Sequence, residues 1–275
     1  MPEGDTIYRA ARTLHRALAN ERVTRFETAL AQLANVDRDV PIAGRTIERV
    51  ESAGKHLLIH FSGDLSLRTH MRMNGSWHIY RPEEKWQLPV RAMRILIETA
   101  SWVAVAFNVY VAEFVKSESL VRYRPLARLG PDLLRDFDFD TALANIRGRK
   151  DAPMHEVLLD QRVMSGLGNV YKSEILFLSR IHPDRTASSL DDTRLREMID
   201  LAHKLLRSNV AESSSGGIVT YHGLRCTTGR MKPEDRLWVY SRGGQPCRRC
   251  GSRIASRKDG DAARVTYWCP TCQEL

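Results

Sequence analysis

The sequence predicts an α+β protein of several domains: an N-terminal β-sandwich with a helix packed on it, a helical second domain, and a small cysteine-stapled β-hairpin at the C-terminus. Three observations predict this. Hydrophobic spacing is helical over about residues 6 to 19, then alternates through short strands as far as Phe107. Helical spacing returns after residue 150. Four of the five cysteines fall in two Cys-x2-Cys pairs near the end of the chain.

In the first segment Ile7, Ala10, Ala11, Leu14, Ala17 and Leu18 recur on one helical face. This predicts a helix from about residue 6 to 19, with Asp5 or Thr6 as N-cap and Pro2 and Glu3 just ahead of it. From Val23 the pattern changes to strands: TIERVESAG, KHLLIHF, LSLRTHM, SWHIY, RAMRILIET and WVAVAFN, with Gly-containing turns such as SGD and NGS between them. Such a series closes as an antiparallel sandwich with the helix against it. Residues 122–150 are rich in arginine and broken by Pro125 and Pro131, as expected of a connection followed by the first helix of a second domain. Helical patterns then run through APMHEVLLDQRVM, GNVYKSEILFLSR and TRLREMIDLAHKLLRSNVA. The stretch ESSSGGIVTYHGLRCTTGRMKPED has no period and is expected to be a mobile loop. The expected domains are residues 1–122, 123–222 and 223–275.

The chain carries 42 Lys+Arg against 33 Asp+Glu, a formal charge of +9. Such a field attracts polyanions and puts nucleic acid first among partners, although charge alone fits a merely soluble basic protein equally well. No apolar run reaches the roughly 18 residues of a membrane span. The N-terminus has no apolar signal core, so a cytoplasmic location is expected. The cysteines do not form the spread-out framework of a disulfide-stapled secreted protein.

Three motifs carry chemistry. Cys247-x2-Cys250 and Cys269-x2-Cys272, 18 residues apart, supply four thiolates for one tetrahedral zinc ion. With all four positions filled, the metal is expected to be structural, and no catalytic metal is expected. The hairpin between the pairs carries Arg253, Arg257, Lys258 and Arg264, which suits a phosphate backbone. In QRVMSGLGNVYKSEILF one helix is expected to end near Met164 and a second to begin at about Asn169. Gly166 and Gly168 would permit left-handed backbone and close approach of a phosphate to the second helix start. Ordinary helical hairpins use the same turn chemistry. Finally, once Met1 is removed, Pro2 becomes a secondary amine with a useful neutral fraction at pH 7. It could attack a sugar carbon to give an iminium, with Glu3 as proton donor or shuttle. Read alone, Met-Pro-Glu is an ordinary helix start.

Together, MPEGDT, GKHLLIHF, LLDQRVMSGLGNVYKSEILF and the four-cysteine tail resemble the formamidopyrimidine-DNA glycosylase and endonuclease VIII family over essentially the whole chain. The MPEG opening is more similar to the endonuclease VIII branch. The resemblance implies a β-sandwich, a helix–two-turn–helix domain and a C-terminal zinc-finger β-hairpin. It implies Pro2 as Schiff-base nucleophile, Glu3 as acid–base residue, and Lys55 as a phosphate contact that serves in β-elimination. Asn169, with Gly168 before it, would grip the phosphates flanking the lesion. Arg264 would bind phosphate and support δ-elimination, and Arg128 would contact DNA. The segment His70–Gly75 resembles the loop that fills the void left by an everted nucleotide, with Met73 as an apolar wedge and Arg72 beside it. Without the resemblance, Lys55, Arg128 and Arg264 read as ordinary surface charges, and Met73 as a hairpin methionine.

The sequence departs from the family in two places. Thr6 stands where a second N-terminal carboxylate is usual, with Asp5 one position earlier. After WVAVAF the chain reads NVYVAEF, with no match to the Arg-x-aromatic run that reads the opposite base in formamidopyrimidine enzymes. The resemblance therefore implies a monomeric bifunctional glycosylase and abasic-site lyase acting on damaged DNA. It would remove oxidised pyrimidines more readily than purines, and its partners would include downstream repair proteins. The alternatives are an oxidised-purine enzyme of the same fold, a non-catalytic DNA-binding zinc-finger protein, and a zinc-ribbon RNA-associated protein.

Overall fold

The computed structural model describes residues 2–211, 226–228, 235–259 and 264–275. They fall into two units, one of residues 2–127 and one of Arg128–Ala211 with the described residues after 224. Nearly all of the expected mobile loop lies outside the described residues. Among the described residues no helix is long and apolar enough to cross a membrane.

In the first unit, α1 spans Gly4–Leu18. It begins earlier than its periodicity predicts, because the Glu3 carbonyl already accepts from Thr6 N at 3.0 Å and Ile7 N at 3.1 Å. Glu3, not Asp5 or Thr6, is therefore the N-cap. Asp5 lies inside the first turn, wholly buried, 3.6 Å from the Arg9 guanidinium one turn on. Thr6 Oγ1 donates to Asp5 Oδ1 at 3.3 Å.

After α1 come β1 (Val23–Thr28), α2 (Ala31–Asp39), β2 (Ile47–Ala53), β3 (His56–Phe61), β4 (Leu65–His70), β5 (Ser76–Tyr80), β6 (Met93–Thr99), β7 (Val103–Phe107), β8 (Val111–Lys116) and a single turn, α3 (Arg124–Ala127). The strands form two antiparallel four-stranded sheets, β1-β6-β7-β5 and β2-β3-β4-β8. One core joins both sheets to α1 through Ile7, Leu14, Leu57, Ile59, Trp77 and Ile97. Each such side chain, fully buried, contributes roughly 1.5–3 kcal/mol. Every predicted strand is present. The strand pattern also continues past Phe107 into β8, and α2 was not expected.

In the second unit, α4 (Phe139–Arg147) starts at Asp138, whose side chain accepts from Thr141 N at 2.9 Å. The remaining elements are α5 (Met154–Val157), α6 (Asn169–Leu178), α7 (Asp192–Ala211), β9 (Ala255–Asp259) and β10 (Arg264–Trp268). The helix expected to run to Met164 ends at Val157. Beyond it the chain is organised by one side chain: Gln161 Nε2 donates to Leu159 O at 2.9 Å and Leu167 O at 3.0 Å, and its Oε1 accepts from Gly166 N at 3.2 Å. Leu158, Val163, Met164 and Leu167 are buried in this irregular segment, so their spacing imitates a helix without forming one. Strands β9 and β10 pair antiparallel, Arg264 opposite Asp259 and Trp268 opposite Ala255.

Candidate active site and nucleic-acid interface

Helix α1 runs antiparallel to β2. Asn20 N, just beyond its end, donates to Ile47 O at 2.8 Å, and Val50 N donates to His15 Nδ1 at 3.1 Å. The helix start therefore points toward the Ala53 end of β2, about 20 Å further along the strand. Pro2 and Glu3 lie at that start, both buried, at the positive pole of the helix macrodipole. At the same end, Gly54 and Lys55 form the two-residue turn between β2 and β3, closed by the Ala53–His56 pair. Gly54 takes φ +56°, as the first position of such a hairpin turn requires. The turn lifts Lys55 to a half-buried position at the sheet's tip.

His56 pairs with His70 across β3 and β4, their rings edge to face with centres 5.0 Å apart. Arg68 Nε donates to His56 Nδ1 at 3.1 Å, and the Arg68 guanidinium also pairs with Glu113, which accepts from Tyr123 OH. Burial, followed by the charges of Arg68, His70 and Lys55, pushes His56 down to about 3. Burial with Arg68, Lys55 and Arg72 nearby pushes His70 down to about 4. Both imidazoles are thus neutral at pH 7, and Lys55 and Arg72 share the surroundings of one uncharged ring. Arg72 N donates to His70 Nδ1 at 3.1 Å, and Arg72 itself is exposed with φ +52°. Met73 is 57% exposed. Lys55, Arg72 and Met73 therefore share one end of the sandwich, the end toward which Pro2 and Glu3 are directed.

In the second unit Gly166 takes φ +107°, as expected, but Gly168 is extended at φ −130° and acts as N-cap of α6. The left-handed turn is complete before Gly168 is reached. Asn169 opens α6, and its Nδ2 donates to Val265 O of β10 at 2.8 Å, which places it beside Arg264. Its Oδ1 is buried without a hydrogen-bond partner among the described residues. Arg264 and Arg128 are both exposed.

Two charged residues that the sequence reading did not single out organise this region. Lys172, fully buried, donates from Nζ to Thr266 Oγ1 at 2.6 Å, and Thr266 in turn donates to Asp259. Glu174, also fully buried, accepts from Trp238 N at 2.8 Å and from Val239 N and Tyr240 N at 2.9 Å each, and Thr227 Oγ1 adds a further donor. The hint in the sequence was two charges in the largely apolar run NVYKSEILFL.

The Sγ atoms of Cys247, Cys250, Cys269 and Cys272 lie within 4.8 Å of one another. Cys250 and Cys269 are 3.5 Å apart, and Cys247 and Cys272 are 4.0 Å apart. A tetrahedral zinc with Zn–S bonds near 2.3 Å requires sulfurs about 3.8 Å apart, so the four thiolates fit that ion. Cys247 and Cys269 also pack with Phe177, Val239 and Ile254, tying the metal to a small core.

Comparison with known proteins agrees with this architecture. The description "Formamidopyrimidine-DNA glycosylase N-terminal domain" matches residues 1–109, "Formamidopyrimidine-DNA glycosylase H2TH domain" matches 129–220, and "Zinc finger found in FPG and IleRS" matches 244–275. The chain is 40% identical to a probable endonuclease 8 2 of Streptomyces coelicolor, covering 99% of this chain and 94% of that one. The chain belongs to the formamidopyrimidine-DNA glycosylase and endonuclease VIII family. A second member, the DNA-(apurinic or apyrimidinic site) lyase Nei2 of Mycolicibacterium smegmatis, is 36% identical over 99% of both chains. The formamidopyrimidine-DNA glycosylase of Lactococcus lactis, solved on DNA containing an abasic site, shares the fold with a TM-score of 0.81 at 23% identity, over 99% of this chain and 100% of that one. As in the family's zinc finger, the four cysteines form a structural zinc site.

Proposed function

We propose that this chain is a bifunctional DNA glycosylase and abasic-site lyase of base excision repair, which removes oxidised bases, pyrimidines in preference to purines, and cuts the strand by β- and δ-elimination. The observation that carries the reading is the start of α1: Pro2 and a buried Glu3 at its positive pole, directed toward the end of the sandwich that bears Lys55, Arg72 and Met73. The names of the endonuclease 8 and abasic-site lyase relatives support the same class of reaction.

With Met1 removed, the Pro2 nitrogen is a secondary amine, and the helix dipole disfavours its ammonium form. Its lone pair attacks C1′ of the damaged nucleotide. The glycosidic C–N bond breaks, its electron pair leaves with the base, and the base takes up a proton. Glu3 protonates the ring oxygen, the C1′–O bond opens, and an iminium joins Pro2 to the sugar. Loss of a proton from C2′ moves its electron pair into a C2′–C3′ double bond and expels the 3′ phosphate. Lys55 holds the backbone during this step. Loss of the C4′ proton then expels the 5′ phosphate, with Arg264 neutralising phosphate charge. Water hydrolyses the iminium and frees Pro2. Asn169, Arg128 and Arg264 provide phosphate contacts, and zinc holds the hairpin that bears Arg264 in shape.

Borohydride reduces an iminium to a stable amine. It is expected to trap a covalent protein–DNA adduct with the native chain and none with Pro2→Ala. If no adduct forms on either oxidised-base or abasic DNA, the amine mechanism is wrong.

A further inference from the structure

A chain of polar contacts runs across β3, β4 and β8 on the face turned away from the core residues Leu57, Ile59 and Leu67, and it ends on the residue next to Lys55. Its centre is Arg68, buried in the middle of β4, with Leu58 of β3 opposite it on one side and Glu113 of β8 on the other. The guanidinium is used at both ends. Nε donates to His56 Nδ1 at 3.1 Å, and Nη1 donates to Glu113. Glu113 also accepts from Tyr123 OH, and the Tyr123 ring centre lies 5.5 Å from the guanidinium carbon. Burial, with the bond to Glu113, pushes the Tyr123 hydroxyl up to about 12, so it remains a donor.

These bonds decide where the proton sits on His56. An arginine Nε–H can only donate, so His56 Nδ1 must accept, and the single proton of the neutral ring is on Nε2. The main-chain N–H of Arg72 imposes the same tautomer on His70, through its Nδ1 at 3.1 Å. A proton on His56 Nδ1 would set N–H against N–H and place a second cation against the first. Glu113 binds the far side of the guanidinium, so the ring meets the cation before its counterion. Apart from the other imidazole, the charges that act on one ring or both are those of Arg68, Lys55 and Arg72, and all three oppose an imidazolium.

We propose that Arg68 is a positioning residue for strand cutting: held by Glu113 and Tyr123, it keeps His56 a neutral Nε2–H donor, so that Lys55 meets the DNA backbone beside a ring that does not become a competing cation. The assignment rests on the lyase reading above and on the role of Lys55 in it. An ordinary histidine is half charged at about pH 6.5. Beside Lys55 such a charge would repel the ammonium and compete with it for phosphate. Arg68, itself buried, removes that titration from the pH dependence of the reaction.

The test is Arg68→Met, with Arg68→Gln as a second variant whose amide can still donate to His56 Nδ1 but carries no charge. Nitrogen NMR of the imidazoles should show native His56 as the Nε2–H tautomer from about pH 8 down to about pH 5.5, and in both variants His56 should begin to titrate within that range. Single-turnover cutting of preformed abasic-site DNA is the second readout. Because Pro2 gives the native rate a pH dependence of its own, the variant-to-native ratio reports on Arg68. From pH 8 to pH 6 that ratio should fall roughly threefold to tenfold. Glu113→Gln leaves the guanidinium in place with a weaker counterion, so its ratio should not change with pH, whatever it costs in stability. If the His56 spectra of both Arg68 variants match the native ones throughout, burial alone keeps the ring neutral and the assignment is overturned. Titration of His56 with a flat ratio would overturn it too, because Lys55 would then be indifferent to the ring. If the native chain gives no borohydride adduct, the lyase reading fails and the role of Arg68 in strand cutting fails with it, while the spectra still report the Arg68–His56 contact by itself.

Discussion

Asn169 and Val265, 96 positions apart, are joined by a 2.8 Å hydrogen bond from the asparagine amide to the main-chain carbonyl. One turn further along α6, Lys172 bonds Thr266 at 2.6 Å. The helix that opens at the glycine-rich reversal thus grips two successive residues of β10, immediately after Arg264.

Lys172→Met should loosen this grip, because Thr266 and Asp259 would keep their own contact but lose the ammonium. Hydrogen bonds to charged groups are worth about 1.5–3 kcal/mol, partly offset here by the cost of burying the lysine. A loss of about 1–2 kcal/mol is expected in denaturant unfolding of the zinc-loaded protein, with faster amide exchange in β10 than in β6.

Glu174→Gln exchanges a carboxylate that serves three main-chain N–H groups for an amide with one acceptor oxygen, and it turns an NH₂ toward those donors. A loss on the order of 3 kcal/mol follows. Thermal unfolding should show the drop, and a melting temperature equal to that of the native chain would contradict it.

Removing zinc should act locally. Because Cys247, Cys269 and Cys272 pack with Phe177, Val239 and Ile254, a strong chelator or Cys250→Ser should cost the β9–β10 amides their exchange protection. Protection in the β3 and β7 strands of the first unit should persist. DNA affinity should fall with zinc content, measured by titration at fixed salt.

Base excision and strand cutting should separate in Glu3→Gln. Opening the sugar ring of an intact nucleotide needs a proton donor, whereas an abasic site already offers an aldehyde. Excision of an oxidised base should drop about 10²- to 10⁴-fold. Cutting of a preformed abasic site should fall far less, and equal losses on the two substrates would remove Glu3 from the acid role.

His78 sets an acid limit. It is buried between Ser76 Oγ at 3.0 Å and Tyr80 OH at 2.9 Å, under Phe107, and burial pushes it down to about 4. Its folded value lies below the unfolded one, so the unfolded chain binds the proton first. Stability from this site is full above about pH 6.5 and is lost as pH falls from there toward 4. His78→Gln should reduce the slope of unfolding free energy against pH in that window by up to one proton.

Much of this molecule was legible in its sequence, and what was missed has physical reasons. Strands β2 to β7 and α1 were readable because their buried residues alternate or recur on one face. Helix α2 buries only Leu33 among its own residues and leaves almost no pattern to read. The segment after α5 misled because tertiary burial, organised by Gln161, reproduces helical spacing without a helix. The zinc ligands were readable because their spacing is local. Lys172 and Glu174 were visible as charges, but their partners lie 53 to 94 positions away, beyond any local pattern.

Two connections, residues 71–75 and 108–110, cross between the sheets at the end of the sandwich that bears Arg72 and Met73. Strand pairs close each crossing on both sides, so residues can be added to or removed from them without shifting the register of any strand. Pro2, at the start of α1, is held by a different part of the fold. On the proposed function, exchange of these short segments would change lesion preference while Pro2 stays where it is, which would make the domain a chassis for grafting one repair specificity in place of another.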